Sequence, residues 1–110
     1  MTTINIAQDF SDTPLGRYHP NDGLFSGERF REEFLLPALQ EGKVEVILDG
    51  TEGFGSSFLD EAFGGIVRDG HYTAQGLRDR LVIIANEADS QQYRTLVWKY
   101  IAASKPRALA

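Results

Sequence analysis

Apolar positions along this chain fall in two kinds of run, and the spacing within each predicts an element. Residues 3–7 alternate weakly and are rich in β-branched side chains, which predicts a first strand. Residues 43–49, KVEVILD, predict a second, with Val44, Val46 and Leu48 on one side and Glu45, Ile47 and Asp49 on the other. The unbroken Val46-Ile47-Leu48 run implies burial on both faces, as in a central strand of an α/β sheet. LVIIA, residues 81–85, predicts another apolar strand. The polar stretch 9–23 carries Pro14, Gly16, Pro20 and Gly23 and reads as a long loop with a short strand near residues 15–18.

Between these runs the spacing becomes helical. Ser26 is a good N-cap and Glu28 sits in the first turn, where the helix dipole favours an acid. Phe30, Phe34 and Ala38 then recur on one face beside Leu35 and Leu39, with Arg29, Arg31, Glu32 and Glu33 opposite. Pro37 is expected to kink or end this helix and Gly42 to close the segment. Residues 57–68 predict a second helix with rows Phe58, Ala62, Ile66 and Leu59, Phe63, Val67. Gly64 and Gly65 lower its helix propensity, and close approach to the sheet is the expected reason. A short helix is expected at 73–79. A last one, capped by Asp89 or Ser90, runs to about residue 103 on the stripe Tyr93, Leu96, Val97, Tyr100, Ile101. Trp98 falls off that stripe and reads as either core edge or partner anchor. Lys99 and Lys105 lie near the C-terminus of this helix, Pro106 ends it, and the tail beyond is expected to fray. This order of elements implies an α/β domain with right-handed parallel crossovers and a sheet of four to five strands.

Composition narrows the class. A chain of 110 residues, 42% hydrophobic and 25% charged, fits one globular domain rather than a disordered segment. A net charge of −5 argues against nucleic acid as partner, because phosphate binding needs a basic surface. With no cysteine there is neither a disulfide framework nor a thiolate zinc site. The start MTTINIAQDF lacks a basic, then apolar, leader, and no apolar run is long enough for a bilayer, so a cytoplasmic location and no membrane partner are expected.

Candidate chemistry gathers at Gly53-Phe54-Gly55-Ser56-Ser57, where a strand hands over to a helix. The glycines permit positive φ and close approach, and such junctions are where α/β sheets bind ligands. Ser56 or Ser57 can cap its own helix, meet an anion, or accept a phosphoryl group. The run is not a P-loop, since the Gly-Lys-Ser/Thr ending is missing. Asp49, Glu52, Asp60 and Glu61 surround it; Asp60 and Glu61 read most simply as first-turn helix acids. Arg17, in the glycine-containing loop, could meet an anion or pair with one of sixteen acids. His19 and His71 are the only histidines, and both read as surface loop residues rather than metal ligands.

Residues 44–67 resemble the central strand–turn–helix of STAS domains, the fold of anti-sigma factor antagonists and of sulphate-transporter tails. In those regulators the strand precedes Asp-Ser-Ser-Gly-Leu, and a partner kinase that is also the anti-sigma factor phosphorylates the first serine. The matching run is Gly55-Ser56-Ser57-Phe58-Leu59, with Ser56 in the acceptor position and Ser57 beside it. Gly55 stands where those antagonists carry aspartate, and Phe58 where they carry glycine. Gly16-Arg17, the run SGERFRE from Ser26 to Glu32, and SSFLDEAFG from Ser56 to Gly64 look like a bacterial STAS-like family of unknown function. That likeness extends from about residue 4 to 85. It implies a STAS-like α/β fold, a mixed sheet of four to five strands with three to four helices. It also implies a non-enzymatic, cofactor-free regulatory module whose partner is a histidine-kinase-like ATPase or another signalling domain. A phosphoryl group on Ser56 would bring about two negative charges beside Glu52, Asp60 and Glu61 and expel an acidic partner. The alternative is a sensor of nucleotides or other phosphate compounds, using Arg17 and the Gly53–Ser57 turn. A hydrolase using Ser56 or Ser57 ranks last, because no base is placed near either in sequence.

Overall fold

Three short segments rich in β-branched and apolar residues pair as parallel strands in the order β1-β2-β3. In the computed structural model, which describes residues 1–107, these are β1 (Thr2–Asn5), β2 (Val44–Ile47) and β3 (Leu81–Ile84). Thr2 lies opposite Val44 and Val44 opposite Leu81, so Asn5, Ile47 and Ile84 end the strands together. Ile4, Val44, Val46, Leu48, Leu81 and Ile83 face the core. Ile47 and Ile84 are only half-buried, and Thr3 and Val82 are exposed. One face of the sheet is therefore covered and the other largely open, so the double-sided burial expected of the Val46–Leu48 run does not occur.

The sheet has three strands among the described residues, all parallel, where four to five in a mixed sheet were expected. Two local causes account for the difference. The first strand stops at Asn5, whose side chain accepts from the Gln8 N–H while its own N–H donates to Asp9, closing a single π-turn, α1 (Ile6–Phe10). The expected strand near 15–18 spends its backbone elsewhere. Leu15 donates to Phe25, and the carbonyls of Gly16 and Arg17 accept from Gly27 and Glu28. The loop is thereby held against the next helix instead of the sheet.

That helix, α2, is continuous over residues 27–41: α-helical at Gly27–Phe30 and Leu36–Glu41, with a π-turn at Arg31–Leu35. Ser26 caps it as expected, its hydroxyl accepting from Arg29 at 3.3 Å. Pro37 does not end it. The chain widens just before the proline, with Leu36 bonding back to Arg31, and Gly42 (φ 148°) closes the helix. The next helix, α3, repeats the design over residues 56–68, with a π-turn at Asp60–Gly64 between α-helical Ser56–Leu59 and Gly65–Arg68. Both helices bury phenylalanines in one cluster: Phe30 stacks near Phe34, Phe58 and Phe63, and Phe10 from α1 fills the rim. Each fully buried ring contributes about 1.5–3 kcal/mol, which makes this cluster the main adhesive between the two helices. They cross closely at Gly27, where a Cβ would strike the Phe58 carbonyl oxygen.

Two more helices bring the total among the described residues to five, against three to four expected: α4 (Ala74–Arg80) and α5 (Ala88–Ala103). The cap of α5 is Glu87, not Asp89 or Ser90. The Asp49 carboxylate accepts from the N–H groups of Asn86 and Glu87, and the Glu87 carboxylate accepts from Gly50, so the turn is fixed before Asp89 is reached. Trp98 is half-buried at the core edge, with the Arg78 guanidinium 5.6 Å from its ring. Arg107 donates its N–H to the Arg68 carbonyl, so the tail is tied down that far; the rest of the segment expected to fray lies outside the described residues.

Candidate functional site

The turn after β2 needs its glycines for different reasons. Gly53 has φ 135°, a conformation unfavourable for any side chain, and the Tyr93 hydroxyl lies against it. Gly55 has an ordinary φ of −72° and takes the N-cap of α3. A Cβ there would sit 2.8 Å from a methyl carbon of Leu15, an exposed leucine that folds over the turn. Because Gly55 is the cap, neither serine caps the helix. Ser56 and Ser57 fill its first two positions, and both are exposed.

One helical turn further on lie Asp60 and Glu61, and these are not solvated first-turn acids. Glu61 is buried and pairs with Arg31, which also donates to the Glu61 carbonyl at 2.7 Å. Arg17 donates to Asp60 at 2.8 Å and to Glu61 at 3.2 Å. Arg68 holds the other Asp60 oxygen at 3.0 Å and approaches Glu61 at 3.5 Å. Asp69 lies 3.5 Å from Arg31 and 3.2 Å from Arg107, and Glu32 lies 3.4 Å from Arg31. Arg17, Arg31, Arg68 and Arg107 thus meet Glu32, Asp60, Glu61 and Asp69, charge for charge. Burial alone would raise the Asp60 carboxyl, but hydrogen bonds from Arg17 and Arg68 outweigh it and hold the pKa below its ordinary value. For Arg17, the hydrogen bond to Asp60 outweighs desolvation and raises the guanidinium further.

Arg31 corrects two expectations. Its position opposite the apolar row of its helix predicts an exposed side chain, yet it is buried. Gly64 and Gly65 make room for arginine heads and not for the sheet: a Cβ on Gly65 would strike the Arg31 guanidinium, and one on Gly64 would crowd Arg68, Asp60 and Ser104. Two glycines inside a helix signalled a close neighbour, but sequence spacing could not say that the neighbour was a cation from α2. The Arg31 Nε–H has no partner among the described residues, so the pair is not fully satisfied.

Across the carboxyl ends of β2 and β3 a cleft of about 410 Å³ opens between Thr51–Gly53 and the start of α5. Glu52, Glu87 and Asp89 line it, and Tyr93 forms one wall. Asp49 lies beneath. Desolvation would raise its carboxyl, but hydrogen bonds from the N–H groups of Glu87 and Asn86 hold it below the ordinary value. His19 and His71 are exposed, and the His19 N–H donates to Glu28. Among the described residues there is no cluster of three or more potential metal ligands, and no helix is long and apolar enough to cross a membrane.

The structure therefore brings Arg17, Asp60 and Glu61 together one turn beyond Gly55, Ser56 and Ser57, with Gly53 at the far side of the turn. Arg31 and Arg68, which sequence reasoning left out, complete the group. No curated protein and no solved structure shows a significant match to the chain. A family model described as a STAS-like domain of unknown function (DUF4325) matches residues 26–91, which span α2, β2, α3, α4, β3 and the start of α5. The chain belongs to that STAS-like family.

Proposed function

We propose that this chain is a non-enzymatic regulatory module that binds a protein partner through the face around Ser56, and that phosphorylation of Ser56 releases the partner. The observation that supports this reading is the exposure of Ser56 at the strand-to-helix junction, with the cap role taken by Gly55. A hydroxyl that is not needed to hold its own helix is free to be modified. Leu15, Tyr18 and Leu24 are exposed on the neighbouring loop, which offers apolar contact area beside the serine. The partner would be a histidine-kinase-like ATPase or another signalling domain, acting where the chain is expected, in the cytoplasm. In the transfer, the Ser56 hydroxyl oxygen attacks the γ-phosphorus of the partner's ATP. The bond from that phosphorus to the ADP oxygen breaks, and the hydroxyl proton passes to a base on the partner.

Asp60 and Glu61 are already neutralised by arginines, so the added charge would act mainly on the partner and on Glu52, and less on these two acids. The phosphate-sensor alternative is less favoured. The adjoining cleft at the strand ends is lined by three acids, which repel a free phosphate compound. Phosphopeptide mapping of the chain recovered from its native cells tests the proposal. Phosphate on Ser56 is the expected result; an unmodified serine under all growth conditions would count against it.

A further inference from the structure

We infer that Arg17 is the receptor for a phosphoryl group on Ser56: it leaves Asp60 and Glu61, binds the phosphate, and carries the 15–25 loop with it. The inference rests on the reading of Ser56 as acceptor, and it names how that site is read out.

Three observations carry it. The loop passes directly alongside Ser56, because Leu15 covers Gly55 and Arg17, two residues later, holds Asp60. Ser56 and Asp60 are four residues apart in one helix, so they share a face about 6 Å apart, within reach of a guanidinium already bonded to Asp60. Arg17 can also leave without orphaning a carboxylate, and it is the most exposed of the three arginines around these acids. Asp60 would keep Arg68 at 3.0 Å, and Glu61 would keep its pairing with Arg31. The Arg17 side chain is 30% exposed, Arg68 21% and Arg31 4%. A phosphate dianion offers more charge than Asp60 and a geometry that suits bidentate arginine contact.

The consequence lies in the loop. Its ends are close together, with Leu15 bonded to Phe25, and it presents Leu15, Tyr18 and Leu24 to solvent. Beside Arg17 its attachment to α2 is made by the Gly16 and Arg17 carbonyls, which accept from Gly27 and Glu28 at 2.9 and 3.0 Å; further along, the His19 N–H donates to Glu28 and the Leu24 carbonyl accepts from Arg29. Drawing Arg17 toward Ser56 strains the first two bonds and shifts the apolar side chains that a partner would meet.

The test uses the full chain with phosphoserine incorporated at position 56 during translation, so no natural kinase is needed. Phosphorus NMR across pH should give a second phosphate pKa about one unit lower than in the same protein carrying Arg17→Gln, because a cation in contact favours the dianion. Arg17→Lys, which keeps the charge but not the fork, should fall between. Hydrogen exchange at the Gly27 and Glu28 amides should quicken on phosphorylation with Arg17 present and not with Arg17→Gln. Coincident titration curves for the wild-type and Arg17→Gln proteins would overturn the exchange, whereas finding no phosphate on Ser56 in native cells would remove its trigger and leave the NMR result standing.

Discussion

Arg31 and Glu61 pair across α2 and α3 with only 4% and 2% of their side chains exposed. The pair links the π-turns of the two helices, since Arg31 opens one and Glu61 is the second residue of the other. Moving both charges out of water costs several kcal/mol per ion, so the pair persists only because further partners share the charge. Arg17, Arg68, Glu32 and Asp69 supply that sharing.

Removing one partner should therefore cost more than removing both. Arg31→Met is expected to destabilise the fold by about 3 kcal/mol, the low end for a broken buried pair, because Arg17 and Arg68 still reach Glu61. Arg31→Met with Glu61→Leu should recover part of that loss. Urea denaturation of both single variants and the double variant gives the coupling. Strictly additive losses would show that the two side chains do not act as a pair.

Gly65→Ala sets two effects of opposite sign against each other. Helix propensity alone favours alanine by about 1 kcal/mol. The new methyl would strike a guanidinium held by Glu61 and its carbonyl, a clash expected to cost about 1–3 kcal/mol. The clash should win, giving a net loss, and the same substitution in an Arg31→Met background should become neutral or stabilising. A Gly65→Ala protein more stable than wild type would show that Arg31 is free to move aside.

Acid should erode stability through Asp60 and Asp49. Burial opposes ionisation at both, but hydrogen bonds to the ionised form prevail and leave each folded-state pKa below the unfolded value of about 3.9. The unfolded chain then binds more protons through this range, so the stability contributed is full above that value and is lost as pH falls through the folded pKa. Asp60→Asn should be less stable than wild type at neutral pH and should show a flatter decline in acid. Thermal melts from pH 7 to pH 2 measure both, and parallel curves would contradict the assignment.

The parts of the fold legible in the sequence are those set by local periodicity. The rows Phe58, Ala62, Ile66 and Leu59, Phe63, Val67 marked a buried helix, and every one of these residues is buried. The strand expected at 43–49, found at 44–47, and the cap at Ser26 were equally plain. What was hidden depends on contacts distant in sequence. Arg31 looks like a surface arginine until α3 is laid against it, and its partner Glu61 is thirty residues away. The expected strand at 15–18 was lost because its backbone met residues 25–28 first. At the site, the serines could be located but not freed: only coordinates give the cap to Gly55.

The most direct measurement compares partner binding by Ser56→Ala and Ser56→Asp, using the protein recovered with the wild-type chain as bait and then purified. Alanine should bind as wild type does, while aspartate should bind at least about tenfold more weakly, a loss of about 1.4 kcal/mol. Equal affinity for the two variants would contradict a switch at Ser56.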